Sequence, residues 1–142
     1  MYTEFFRFKE KPFNVTPDPR FLYLSPSHQE ALATMLYGIQ ERRGFVSVIG
    51  EIGTGKTTLL HTLFSELSNE VQTAFIFNTR VNFKQLLQNI LMELELTPSS
   101  DNKALLLNQL NDFLIKKLAS NEIVALIIDE AQNLSSPVLE EL

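Results

Sequence analysis

Short apolar runs alternate along the chain with stretches in which apolar residues return every three or four positions, and this alternation predicts the elements. Phe45-Val46-Ser47-Val48-Ile49, Thr73-Ala74-Phe75-Ile76-Phe77 and Ile123-Val124-Ala125-Leu126-Ile127-Ile128 have the length and content of buried strands. Four sets share the helical period: Leu32, Met35, Leu36 and Ile39; Leu59, Leu60, Leu63, Phe64 and Leu67; Phe83, Leu86, Leu87, Ile90, Leu91 and Leu94; and Leu107, Leu110, Leu114 and Leu118. The last set is too short for a coiled-coil seam and reads as a core-facing helix. Ser25-Pro26 supplies a cap and a first-turn proline for the first helix, which Arg42-Arg43-Gly44 closes. A second helix opens at Lys56, residues 97–102 form a turn, and a final helix begins near Ser136-Pro137. Strands alternating with helices predict an α/β fold whose parallel sheet is covered on both faces.

Residues 1–24 stand apart from this pattern. Phe5, Phe6, Phe8, Phe13 and the sequence Thr16-Pro17-Asp18-Pro19 predict an extended, aromatic lead-in that packs on the core of residues 25–142. The whole is 142 residues, 44% hydrophobic and 20% charged, the size and composition of one globular domain. Its longest apolar run, Ile123 to Ile128, falls far short of the ~20 residues that cross a bilayer. Met1-Tyr2-Thr3-Glu4-Phe5 does not read as a secretory signal. With no cysteine, disulfides, thiol catalysis and thiolate metal sites are excluded. His28 and His61 have no ligand-like neighbours in sequence, and His28 reads as a helix-start residue. Twelve Lys and Arg against 17 Asp and Glu give a net charge of −5, which argues against strong non-specific nucleic-acid binding. A cytoplasmic location follows as the expectation.

Chemistry enters directly after the first strand. Gly50-Glu51-Ile52-Gly53-Thr54-Gly55-Lys56-Thr57 fits G-x-x-x-x-G-K-[ST], and three of the chain's five glycines lie in it. A strand precedes it and a helix follows, as a phosphate-binding loop requires. The glycines let the backbone curl so that N–H groups face phosphate oxygens, and the helix N-terminus adds its positive end. Lys56 would reach the β- and γ-phosphates, and the Thr57 hydroxyl would ligate Mg²⁺. Gly50 to Thr57, with the adjoining Thr58, form the candidate nucleotide-binding set.

The third strand ends in Asp129-Glu130. A carboxylate at the C-terminal edge of a parallel sheet stands where such sheets bind ligands. Asp129 would hold Mg²⁺, and Glu130 would accept a proton from an attacking water. Acids at this place can also simply cap the next turn, but their position downstream of a phosphate loop favours the chemical reading.

The two elements together resemble the AAA+ division of phosphate-loop ATPases. Lys11-Pro12-Phe13, Pro17-Asp18-Pro19-Arg20-Phe21-Leu22-Tyr23, Ser27-His28, Ala31-Leu32, Tyr37-Gly38-Ile39, Arg42-Arg43-Gly44-Phe45 and Asp129-Glu130-Ala131-Gln132-Asn133-Leu134 extend the resemblance to ExeA-like ATPases, the general secretion pathway protein A group. The resemblance implies a three-layer αβα fold, ATP and Mg²⁺ as ligands, and self-association into a dimer or ring. It also implies a membrane-bound partner in assembly of a secretion or pilus complex. Relatives that assist transposition make DNA an alternative partner, disfavoured by the charge. Asn78, at the end of the second strand, corresponds to a polar residue that holds the catalytic glutamate, though a strand-end turn explains it equally. Phe21, Leu22 and Tyr23 fall where the adenine pocket is usually lined, with Tyr23 the candidate contact and core packing the alternative. The resemblance further implies a fourth strand, sensors and a helical lid beyond residue 142, so the chain reads as the front part of an ATPase domain, truncated before its fourth strand.

Overall fold

The computed structural model describes every residue except Met1, Phe13, Asn14, Thr16 and Pro17, so part of the predicted lead-in lies outside the described residues. The chain divides into two units, Met1–Leu67 and Ser68–Leu142.

In the first unit, α1 (Tyr2–Phe5) is a single helical turn, followed by a 3-10 turn at Pro19–Phe21, α2 (Pro26–Gln40) and α3 (Lys56–Glu66). The lead-in is therefore not extended throughout. Its described phenylalanines stay open: Phe5, Phe6 and Phe8 are exposed and meet one another edge-on or stacked, with centroids 4.9 Å apart for Phe5–Phe6 and 5.6 Å for Phe6–Phe8. The 3-10 turn is set by Asp18, whose carboxylate accepts from the Arg20 N–H at 3.0 Å and from its guanidinium at 2.7 Å. That pairing lowers the Asp18 carboxyl below the usual carboxylate range. The 3-10 turn packs on α3, and α3 packs on α2, with Leu32, Met35, Leu59 and Leu63 buried.

As predicted, Ser25 caps α2 and Pro26 opens it. At its other end, the Arg42 N–H reaches the Ile39 carbonyl and the Arg43 N–H reaches the Gly38 carbonyl, a Schellman closure with Arg42 at φ 52°. Gly38 itself has no room for a side chain, because a Cβ there would lie 2.3 Å from Val46 Cγ2.

The strand predicted over Phe45 to Ile49 is not formed. This segment has no ladder partner among the described residues, and Phe45 and Ile49 are 87% and 92% exposed. Strand geometry is held by a neighbour's backbone groups, and apolar content alone does not create it.

The second unit contains β1 (Val71–Ile76), α4 (Phe83–Glu93), α5 (Lys103–Ala119), β2 (Ile123–Ile128) and α6 (Ser136–Glu141). The two strands pair in parallel, Val71 opposite Ile123 through Ile76 opposite Ile128. A parallel pair needs a crossover, and α4 and α5 supply it. Asn82 and Gln85 form a reciprocal capping box at the start of α4, and Asn102 caps α5. Ala74, Ile76, Leu86, Leu87, Ile90, Leu91, Leu94 and Leu106 form the core, joined by Leu134 and Val138 after β2. The predicted face of α5 is displaced: Leu106 is fully buried and Leu110 and Phe113 pack beside it, whereas Leu107, Leu114 and Leu118 are exposed. Leucine and isoleucine occur almost all round this helix, so periodicity did not select a face. Tertiary packing chose the one carrying Phe113. No helix among the described residues is long and apolar enough to cross a membrane.

Candidate functional site

The phosphate-loop candidates lie in the first unit. Gly53 and Gly55 stand at φ 81° and 87°, the left-handed region that glycine enters without penalty. Gly55 is also the N-cap of α3, its carbonyl accepting from the Leu59 N–H at 2.8 Å. The Lys56 ammonium donates to the carbonyls of Gly50 and Glu51, both at 2.8 Å, and so folds back over the loop it follows. The Thr54 hydroxyl donates to the Glu51 carbonyl at 2.8 Å. A side chain at Gly50 would crowd that hydroxyl, with a Cβ only 3.0 Å from it. Glu51, Ile52 and Gly53 are exposed, while Thr57 and Thr58 in the first turn of α3 are half-buried.

Two residues before α2 qualify the expectation for the adenine pocket. Tyr23 is 82% exposed, and Leu22 approaches the loop, its Cδ1 3.8 Å from where a Gly55 Cβ would sit. His28, read from sequence as a helix-start residue, does more than start the helix. Its Nδ1 lies 2.6 Å from Ser25 Oγ and its Nε2 lies 2.7 Å from the Thr54 carbonyl oxygen, inside the phosphate loop.

The acidic candidates lie in the second unit. Asp129 follows β2, and its N–H donates to the Ile76 carbonyl at 3.1 Å, prolonging the ladder by one bond. Its Oδ1 accepts from the Glu130 N–H at 2.9 Å. Glu130 stands at φ 54° at the start of a 3-10 turn, Ala131–Asn133, and its exposed side chain accepts from the Gln132 amide. A left-handed glutamate is sterically costly, a backbone shared here with Arg42 and Glu95 at helix ends.

Asn78 is exposed beyond β1, and its side chain accepts from the Arg80 N–H at 3.2 Å, a local turn bond. The neighbouring Thr79 is the residue that reaches Glu130: its hydroxyl, on a side chain only 3% exposed, donates to the Glu130 carbonyl at 3.3 Å. Thr79 was missed in the sequence, and Gln132 entered only as part of the Asp129–Leu134 run. The one available signal was a small hydroxyl at a strand end, which is common in ordinary turns.

Thr57 and Asp129 offer a hydroxyl and a carboxylate, hard oxygen donors of the kind that suit Mg²⁺. Among the described residues no three His, Cys, Asp or Glu side chains cluster to hold a metal.

A phosphate loop opening a helix, and an acidic pair closing a parallel strand, are the two marks of a phosphate-loop nucleotide-binding protein. Residues 39–142 match the AAA domain family, and the chain belongs to that family. It is similar to general secretion pathway protein A of Aeromonas hydrophila, 41% identical over 143 residues that take in 100% of this chain. The chain spans 26% of that relative's length. No solved structure matches it.

Proposed function

We propose that residues 25–142 are the front part of an ATPase domain that binds and hydrolyses ATP with Mg²⁺, and that residues 1–24 are a lead-in to it. The observation that carries this reading is the loop from Gly50 to Thr57. Two of its glycines are left-handed, its lysine is folded over the loop carbonyls, and it opens a helix directly. Backbone N–H groups of such a loop bind phosphate oxygens, and the lysine ammonium exchanges its carbonyl partners for the β- and γ-phosphates. Thr57 and Asp129 are the residues that would hold Mg²⁺. When bound, the ion neutralises charge on the phosphates and polarises the bond to be broken. Glu130 orients the attacking water and accepts its proton, while Lys56 offsets the charge on the transferred phosphoryl group.

The likeness to general secretion pathway protein A supports a role in a secretion or pilus-type envelope complex. In this role ATP turnover assembles or remodels a membrane-bound partner, from the cytoplasmic face of the inner membrane. Self-association into a dimer or ring belongs to the same reading. The net charge of −5 favours a protein partner over DNA.

Phosphate release by the full-length gene product, compared with Lys56→Ala and Glu130→Gln, tests the assignment. Magnesium-dependent turnover is expected in the parent. A fall of at least about 100-fold is expected in each variant, the range seen when one group stabilising charge in the transition state is removed. Unchanged turnover in either variant would overturn the roles given to these residues.

A further inference from the structure

The contact between His28 and the phosphate loop joins residues 26 positions apart, and its chemistry is one-sided. A carbonyl oxygen only accepts, so the 2.7 Å approach of Nε2 to the Thr54 oxygen requires the proton on Nε2. Nδ1 lies 2.6 Å from Ser25 Oγ, and the same Ser25 oxygen accepts from the His28 N–H at 3.3 Å. The imidazole is thereby held at Nδ1 by the start of α2 and at Nε2 by the phosphate loop.

The Thr54–Gly55 peptide is trans, so its carbonyl and its N–H point in opposite directions. Holding the Thr54 carbonyl toward His28 therefore turns the Gly55 N–H away from His28. Gly55, without a Cβ, places little steric restraint on this orientation. Its own carbonyl is committed to α3 through Leu59, but glycine leaves its φ free, and the preceding peptide plane could rotate at little cost.

We infer that His28 is a positioning residue for the phosphate loop: by fixing the Thr54 carbonyl it aims the Gly55 N–H at the nucleotide phosphate. This rests on the nucleotide-binding reading above. No bond to the ligand is made by His28 itself. Its effect is to settle, before binding, a peptide orientation that the ligand would otherwise have to select.

The test compares the intact protein with His28→Phe, which keeps a ring and removes the donor, and His28→Gln, whose side-chain amide can restore a donor to the carbonyl. Mg·ATP affinity is measured by titration calorimetry, and the Gly55 amide is followed by ¹⁵N spectroscopy. The Phe variant is expected to bind about tenfold more weakly, the scale of one hydrogen bond to a charged group, with partial recovery in the Gln variant. The Gly55 amide resonance is expected to shift in the Phe variant even without nucleotide. Equal affinity in parent and Phe variant would overturn the inference alone, as would a loss in both variants that merely tracks their melting temperatures. If the parent itself bound no ATP, the nucleotide reading would fail first. Should the Phe variant not fold, the imidazole ¹⁵N shifts of the parent decide, because an unprotonated Nε2 is incompatible with the bond to Thr54.

Discussion

Glu130 carries both a backbone penalty and a chemical assignment. At φ 54° it pays roughly 1–2 kcal/mol relative to a residue without a Cβ. Glu95, at φ 61°, is in the same region with no assigned chemistry: it closes α4, its N–H bonded to the Met92 carbonyl and the Leu96 N–H to the Leu91 carbonyl. Glycine at either position relieves the same strain and loosens the unfolded chain, so each variant is expected to gain about 0.5–1 kcal/mol in urea denaturation. Their activities should diverge, with Glu95→Gly retaining turnover and Glu130→Gly losing it. A Glu130→Gly protein no more stable than the parent would contradict the strain argument. Thr79 is the buried support of the same backbone. Thr79→Val keeps its shape but leaves the Glu130 carbonyl without this donor, and is expected to lower stability by about 1–2 kcal/mol. An unchanged denaturation midpoint would show that bond to be of no consequence.

At the scale of elements, the helices were legible because their signals are local. Ser25-Pro26 was read as a cap and α2 begins there, while α4 and α5 were read from apolar period and prove to be capped by Asn82 with Gln85 and by Asn102. What was not legible depends on distant partners. Phe45 to Ile49 has strand composition, but no described neighbour pairs with it, and the buried side of α5 was set by what α4 and β2 present to it. The opening of a helix at Lys56 and the placing of Asp129-Glu130 directly after a strand were legible in the local pattern, whereas the strand expected before the loop is not formed. The supports at His28 and Thr79 were not legible, because each acts through a backbone carbonyl, and a carbonyl has no signature in sequence. Electrostatics also joins elements. Asp101, in the turn before α5, meets the Lys84 ammonium of α4 at 3.0 Å and the Gln88 amide at 3.2 Å, and the Lys84 hydrogen bond above all lowers its carboxyl below the usual range. A lowered carboxyl stabilises the fold above its unfolded value of about 4 and loses that effect as pH falls through the lowered value. The stability difference between the parent and Asp101→Asn should therefore be present at neutral pH and vanish in strong acid, and it should shrink with added salt. A difference independent of pH would refute the ion-pair origin.

At the scale of the whole molecule, the residues assigned to phosphate binding fall within Met1–Leu67 and those assigned to hydrolysis within Ser68–Leu142. Nucleotide binding and nucleotide hydrolysis should thus be separable by substitution. Lys56 belongs to the first task and Glu130 to the second. The most direct measurement is equilibrium binding of Mg·ATP to the parent, Lys56→Ala and Glu130→Gln proteins. The account predicts saturable, magnesium-dependent binding by the parent, weakened at least about tenfold in Lys56→Ala through the loss of a charge-assisted contact, and retained in Glu130→Gln. Absence of binding by the parent, or equal binding by Lys56→Ala, would contradict it.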